Sequence, residues 1–136
     1  MELVLDANVL ISSLIKDSHM QHFLLLSGNS FYTPEYVFEE IAEHIGEIKE
    51  KTSLSGAEIN DLLKQIILLG NIKIIPLDEL AEYKSEAMKI SPDADDAAYI
   101  ALALKLKCAI CSKDKALKEK QAAIRVLTPE EIMRVR

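Results

Sequence analysis

Four acidic residues that lie far apart along the chain, Asp6, Glu40, Asp96 and Asp114, have the type and setting to hold a divalent cation together. Asp6 ends the apolar run Leu3-Val4-Leu5, which reads as a buried strand, and a second apolar run with helical character follows at once from Val9. Asp114 comes three residues after Cys111, at the end of another short apolar stretch. On a wheel of about 100° per residue, Glu40 falls on the flank of the stripe made by Val37, Ile41 and Ile48, whereas Glu39 points away into solvent. Asp96 opens the apolar segment Ala97 to Leu106 on its inward side, with Ile100 four residues and Ala103 seven residues later. Asp93, three residues earlier, shares that side, and Asp95 is expected to point elsewhere. An inward carboxylate among apolar residues needs a partner or a cation, and no basic residue precedes Lys105 in that segment. Taken singly, each acid has a plainer role: Asp6 and Asp114 can cap helices, Asn8 can orient Asp6 or cap in its place, and one of Asp93, Asp95 and Asp96 serves the helix dipole.

Together they share a location. In an open parallel sheet the strand-to-helix junctions lie along one rim, where ligands bind. Three or four like charges there raise one another's pKa unless a cation intervenes. Oxygen ligands without Cys or His select Mg²⁺ or Mn²⁺. The chemistry suited to such a cluster is metal-assisted phosphodiester hydrolysis, in which the metal supplies hydroxide and steadies the charge on the displaced oxygen.

The elements that must position these acids follow from periodicity and punctuation. After the first strand, Val9–Lys16 and His19–Leu26 read as short helices meeting near Asp17-Ser18, then Gly28-Asn29-Ser30 as a turn and Phe31-Tyr32 as a strand. Thr33-Pro34 carries the signature of a helix start, and Val37, Phe38, Ile41, Ile45 and Ile48 form one apolar stripe behind it. Ser55-Gly56-Ala57-Glu58 is a capping box that opens a second amphipathic helix, with Ile59, Leu62, Leu63, Ile66 and Ile67 inward and Gly70 at its end. Ile72–Ile75 is a strand closed by Pro76, and Leu80, Tyr83, Ala87 and Ile90 mark a helix. Ser91-Pro92-Asp93 begins the next one, apolar nearly all round from Ala97 to Leu106 and therefore buried. Cys108–Cys111 and Ile124–Leu127 read as strands, Asp114–Lys120 as a short helix, and Thr128-Pro129-Glu130-Glu131 as a capping box for a terminal helix. Short apolar strands alternating with helices predict a single α/β/α three-layer domain over residues 1–136, with a four- to five-stranded parallel sheet.

Composition narrows the function. With 136 residues and 49% hydrophobic content, the chain can bury a real core. Its net charge of −6 argues against a general electrostatic grip on nucleic acid and suits a carboxylate-rich site. Neither a signal peptide nor a run of roughly 18 apolar residues is visible, so a cytoplasmic protein with no membrane span is expected. Cys108 and Cys111, three apart on a strand, point to opposite faces and lack companion ligands, so they read as buried thiols rather than a zinc site.

These motifs resemble the PIN domain, the nuclease fold of the toxins in VapBC-type toxin–antitoxin pairs and of several RNA-processing proteins. The resemblance covers essentially the whole chain. It rests on Leu5-Asp6-Ala7-Asn8-Val9, a strand-ending Asp with a small residue and Asn after it, and on Val37 to Ile41, a Val-x-x-Glu-Ile segment that selects Glu40. It rests further on Asp96-Ala97-Ala98 with its Ala-rich helix and on Ser112-Lys113-Asp114 after a strand, all four in order. The resemblance implies a site for one or two Mg²⁺ or Mn²⁺ ions, cleavage of single-stranded RNA, and Asp6, Glu40, Asp96 and Asp114 as metal ligands or holders of the attacking water. Asp93 is a helper by the same likeness.

RNA needs nearby positive charge or stacking surface. Lys113, Lys115, Lys118 and Lys120 flank Asp114 and could guide phosphates or simply form a solvated helix face. Tyr32 and Tyr36 could stack a base, Tyr99 is expected in the core, and His19, His22 and His44 lack ligand spacing. The leading expectation is a metal-dependent ribonuclease, a toxin held by an antitoxin protein, with a homodimer a further possibility through the helix at Ile59–Ile67. Two alternatives stand beside it. One is a PIN-type module that binds RNA or protein without cutting. The other is a phosphoacceptor domain, disfavoured because a single acid ends the first strand and Lys113 directly precedes Asp114.

Overall fold

The computed structural model describes residues 1–15 and 18–134. The expected helix junction at Asp17 and the end of the first helix at Lys16 lie outside the described residues. Within them the five strands are β1 (Glu2–Leu5), β2 (Ser30–Pro34), β3 (Lys73–Ile75), β4 (Ala109–Cys111) and β5 (Val126–Leu127). The helices are α1 (Ala7–Leu14), α2 (Ser18–Leu26), α3 (Val37–Glu43), α4 (Ile45–Thr52), α5 (Gly56–Leu69), α6 (Lys84–Ile90), α7 (Ala97–Leu106), α8 (Lys115–Glu119) and α9 (Pro129–Arg134). Leu77–Tyr83 and Ala94–Asp96 are 3₁₀ segments.

All the strand pairs are parallel, in the order β3-β2-β1-β4-β5. The chain builds outward from β1 to β3 on one side, then crosses to β4 and β5 on the other. The reversal falls between β1 and β4, the place where the carboxyl ends of strands open a crevice. Being central, β1 is apolar at every position from Leu3 to Leu5, and all three side chains are buried. Val9, Leu10 and Leu14 of α1, Phe31 of β2, and Tyr99, Ile100 and Leu102 of α7 pack around it. The expected three-layer architecture is therefore present.

Two capping boxes formed as read. Ser55 accepts from the Glu58 amide while Glu58 accepts from the Ser55 amide, and Thr128 and Glu131 exchange the same pair of bonds. Elsewhere the boundaries moved. Thr33-Pro34 does not start a helix: both residues belong to β2, opposite Ile74 and Ile75 of β3. The Thr33 hydroxyl is not a cap because it donates across the sheet to the Leu5 carbonyl at 2.9 Å. Pro34 is tolerated in the strand because pairing with β1 has ended by then, so no ladder bond is missing. The single helix expected from Pro34 to Ile48 is two, broken at His44, whose amide bonds Ile41 in a tightened last turn. Gly46 just beyond it weakens any continuation. The break leaves Phe38 exposed while Val37, Ile41 and Ile48 stay in the core.

On α5, Ile59, Leu63 and Ile66 are buried within the chain itself, so the stripe read as a possible dimer surface is already covered; the exposed leucines are Leu68 and Leu69 at its end. The last strand is shorter than expected because the Gln121 side chain bonds both the amide and the carbonyl of Ile124, ahead of the strand. Thr33→Val is expected to lower the unfolding free energy by about 1–3 kcal/mol, since it leaves a buried carbonyl without its donor. Urea denaturation measures this; an unchanged midpoint would mean the Leu5 carbonyl is satisfied another way.

Candidate active site

The rim identified by topology carries the acids. Asp6 follows β1 directly, and its backbone is extended at the N-cap of α1 without a side-chain capping bond. Its carboxylate instead receives the Ser112 hydroxyl at 2.6 Å and the Asn8 amide at 3.3 Å. Ser112, two residues ahead of Asp114, also accepts the Asp114 amide at 3.0 Å. The Asn8 side-chain oxygen accepts the Lys113 amide at 3.2 Å. Asn8 and Ser112 thus tie the end of β1 to the loop after β4, and with it Asp6 to Asp114. Asp114 does cap α8, accepting from the amides of Ala116 and Leu117, but both bonds use Oδ1.

From the other side, Glu40 on α3 receives a short hydrogen bond from the Tyr99 hydroxyl of α7. Asp93 caps the 3₁₀ turn by accepting the Asp95 amide at 3.0 Å. Asp96 sits at the N-cap of α7 without a side-chain capping bond.

Asp6, Glu40, Asp93, Asp96 and Asp114 line one cleft of about 320 Å³, together with Asn8, His44, Asp95 and Lys120. All five expected site residues are therefore brought together. A larger open groove of about 600 Å³ lies at the opposite edge of the sheet, beside Met1, Leu106 and Cys108, and gathers no comparable set of acids.

The electrostatics follow from this crowding. Asp6 is raised above the ordinary carboxylate value by burial, partly offset by the Ser112 hydrogen bond, and Asp114 adds to the rise. Glu40 is pushed up to about 7 by burial, against the Tyr99 hydrogen bond, with Asp6 and Asp95 adding to it. Asp96 is pushed up to about 6, first by burial and then by Asp6, Asp114 and Asp93. Three acids raised first by burial and then by neighbouring carboxylates in one cleft hold unfavourable charge that a cation would relieve.

Among the described residues, no three His, Cys, Asp or Glu side chains converge closely enough to form a ready-made metal site. Three of the acids are turned toward a donor of the protein: Asp6 to Ser112, Glu40 to Tyr99, and Asp114 to the start of α8. The donor set itself fits a hard cation, being carboxylate oxygens at a shared rim with a hydroxyl and an amide behind them.

Several residues of the cleft were not expected there. Asp95 does not point elsewhere; it lines the cleft and accepts the Tyr36 hydroxyl at 2.8 Å. His44 and Lys120 stand at the cleft, and the Nδ1 of His44 lies 2.8 Å from the Glu40 carbonyl oxygen. The tyrosines acting on the acids had no local signal, because each bond joins residues 59 positions apart. Of the other lysines, Lys118 pairs with Glu131 and Lys113 donates to Ser12. Cys111 is buried and Cys108 half-buried; both are free, and burial raises both thiols, Cys108 to about 11.

A family model of the PIN domain matches residues 4–132. The chain belongs to the PIN domain family. No curated protein matches the sequence. Among solved structures, one similar in fold is VapBC2 from Rickettsia felis, in a crystal structure bound to a DNA fragment from their promoter. It is 14% identical, with a TM-score of 0.60, over 94% of this chain and 98% of that one. At that identity the likeness is one of fold. The matched region of this PIN domain contains every acid of the cleft, from Asp6 to Asp114. Among the described residues, no helix is long and apolar enough to cross a membrane.

Proposed function

We propose that this PIN domain is a metal-dependent endoribonuclease that hydrolyses phosphodiester bonds of single-stranded RNA in the cytoplasm. The observation that carries this reading is the gathering of acids from four separate segments into one cleft at the switch point of a parallel sheet. Asp6, Glu40, Asp96 and Asp114 would hold Mg²⁺ or Mn²⁺, with Asp93 assisting. When bound, the cation supplies hydroxide at neutral pH and neutralises charge on the leaving oxygen.

The chain's own residues provide the rest. Ser112 and Asn8 fix the direction of the Asp6 carboxylate. Lys120 at the rim supplies a positive charge toward a phosphate, in a molecule whose net charge of −6 offers no broad basic surface. Such a site grips RNA locally and leaves recognition to a short accessible stretch of strand. The fold shared with VapBC2 supports a further step, that this chain is the toxin of a toxin–antitoxin pair and is restrained by an antitoxin protein.

The test is cleavage of labelled single-stranded and duplex RNA of the same sequence. Cutting of the single strand with Mn²⁺, and none with excess EDTA, is the expected result. Cleavage that persists in EDTA, or that is absent with every divalent metal tried, overturns the proposal. The turning of Asp6, Glu40 and Asp114 toward donors of the protein itself favours a second reading, a PIN module that binds RNA or protein without cutting. Calorimetry separates the two, because a silent module takes up no Mn²⁺.

A further inference from the structure

We propose that Tyr99 is a positioning residue for Glu40: its buried hydroxyl fixes the carboxylate at the cleft, while the adjoining Tyr36 hydroxyl donates to Asp95. This rests on reading Glu40 as a metal ligand. Tyr99 is 1% exposed, on a helix that packs into the core, and its ring is a rigid arm anchored there. Glu40, by contrast, sits half-exposed on the short helix α3 and has a flexible side chain. Such a group loses considerable rotamer freedom when it is made to ligate a cation. The Tyr99 hydroxyl removes that freedom beforehand, and because it engages Oε1 it leaves Oε2 for another partner.

Tyr36 completes the arrangement. It lies one helical turn before Glu40, and the Glu40 amide bonds the Tyr36 carbonyl. Its ring meets the Tyr99 ring edge to face, with centroids 6.4 Å apart and planes at 64°. Its hydroxyl donates to Oδ1 of Asp95. Two tyrosines whose rings meet edge to face thus bond two neighbouring acids. One acid is aimed by a donor from the core, and the other is occupied at the edge of the cleft.

The test is the Mn²⁺ affinity of the purified protein, measured by calorimetry alongside RNA cleavage and melting in EDTA. Tyr99→Phe keeps the ring and removes the hydroxyl. It is expected to weaken Mn²⁺ binding about tenfold, as loss of an orienting partner does, with KM for RNA unchanged. Tyr36→Phe keeps the edge contact and frees Asp95, and its effect on Mn²⁺ affinity should be within about twofold. A double-mutant cycle separates orientation from packing. If Tyr99 acts through Glu40, then Tyr99→Phe adds no further loss in a Glu40→Gln background. A merely structural tyrosine would give additive losses, and that result overturns the inference. So does unchanged Mn²⁺ affinity in Tyr99→Phe while the wild type binds metal. A wild type that takes up no Mn²⁺ overturns the metal reading itself, and this inference with it.

Discussion

Asp6→Asn is expected to abolish Mn²⁺-dependent cleavage of single-stranded RNA, with kcat down about 10³-fold or more. Asp6 is the acid most deeply placed in the cleft, 8% exposed at the end of the central strand. A ligand charge lost there removes several kcal/mol of charge stabilisation in the transition state, and each 1.36 kcal/mol is about a factor of ten in rate. The fold should survive, because the Asn amide oxygen can still accept the Ser112 hydroxyl and a buried charge is removed. Asp96→Asn is expected to behave in the same way. The decisive comparison is cleavage rate beside circular dichroism and melting. A folded Asp6→Asn protein with full activity would remove Asp6 from the site.

A second large effect concerns stability against pH. Glu40 is raised from 4.5 to about 7 and Asp96 from 3.8 to about 6, and Asp6 is raised as well. A raised carboxyl makes the folded chain bind more protons than the unfolded chain between the two pKa values. Stability therefore falls as pH rises through that window, from about pH 4 to about pH 7. Both groups are half-exposed, which discounts the size of the effect. Without metal, Tm is expected to drop by on the order of 5 °C across the window. Added Mn²⁺ should restore it at the upper end, since the cation binds only the folded cleft. Glu40→Gln should flatten the pH profile. A Tm that climbs through this window, or that ignores Mn²⁺ at neutral pH, would contradict the picture of acids strained by burial and by neighbouring carboxylates.

Much of this architecture could be read from local signals. The apolar run Leu3–Leu5 followed by Asp6, the two capping boxes and the all-round apolar helix after Asp96 each depend on neighbours in sequence, and each formed. Glu40 was separable from Glu39 because a helical wheel distinguishes adjacent positions even when a helix boundary is misjudged. The failures arose where a distant group decided the outcome. Thr33 became a sheet residue because the Leu5 carbonyl, 28 positions away, claimed its hydroxyl. The apolar stripe of α3 and α4 split at His44, and no periodicity announces that break. Asp95 was sent outward by its angle on an ideal helix, but it lies in a 3₁₀ turn, where that angle does not apply. The bonds from Tyr36 and Tyr99 each span 59 positions, so only the folded chain reveals them.

The insertion of β4 beside β1 has a bearing on how such a fold is assembled during synthesis. Asp6 meets its hydroxyl partner only when residue 112 has docked, 106 positions later. A ribosome that has released the first hundred residues therefore carries a chain with three of the four principal acids but no Asp114 and no clasp on Asp6. The Asp6 corner of the cleft is therefore completed only after the segment carrying Ser112 and Asp114 has been made and has docked beside β1.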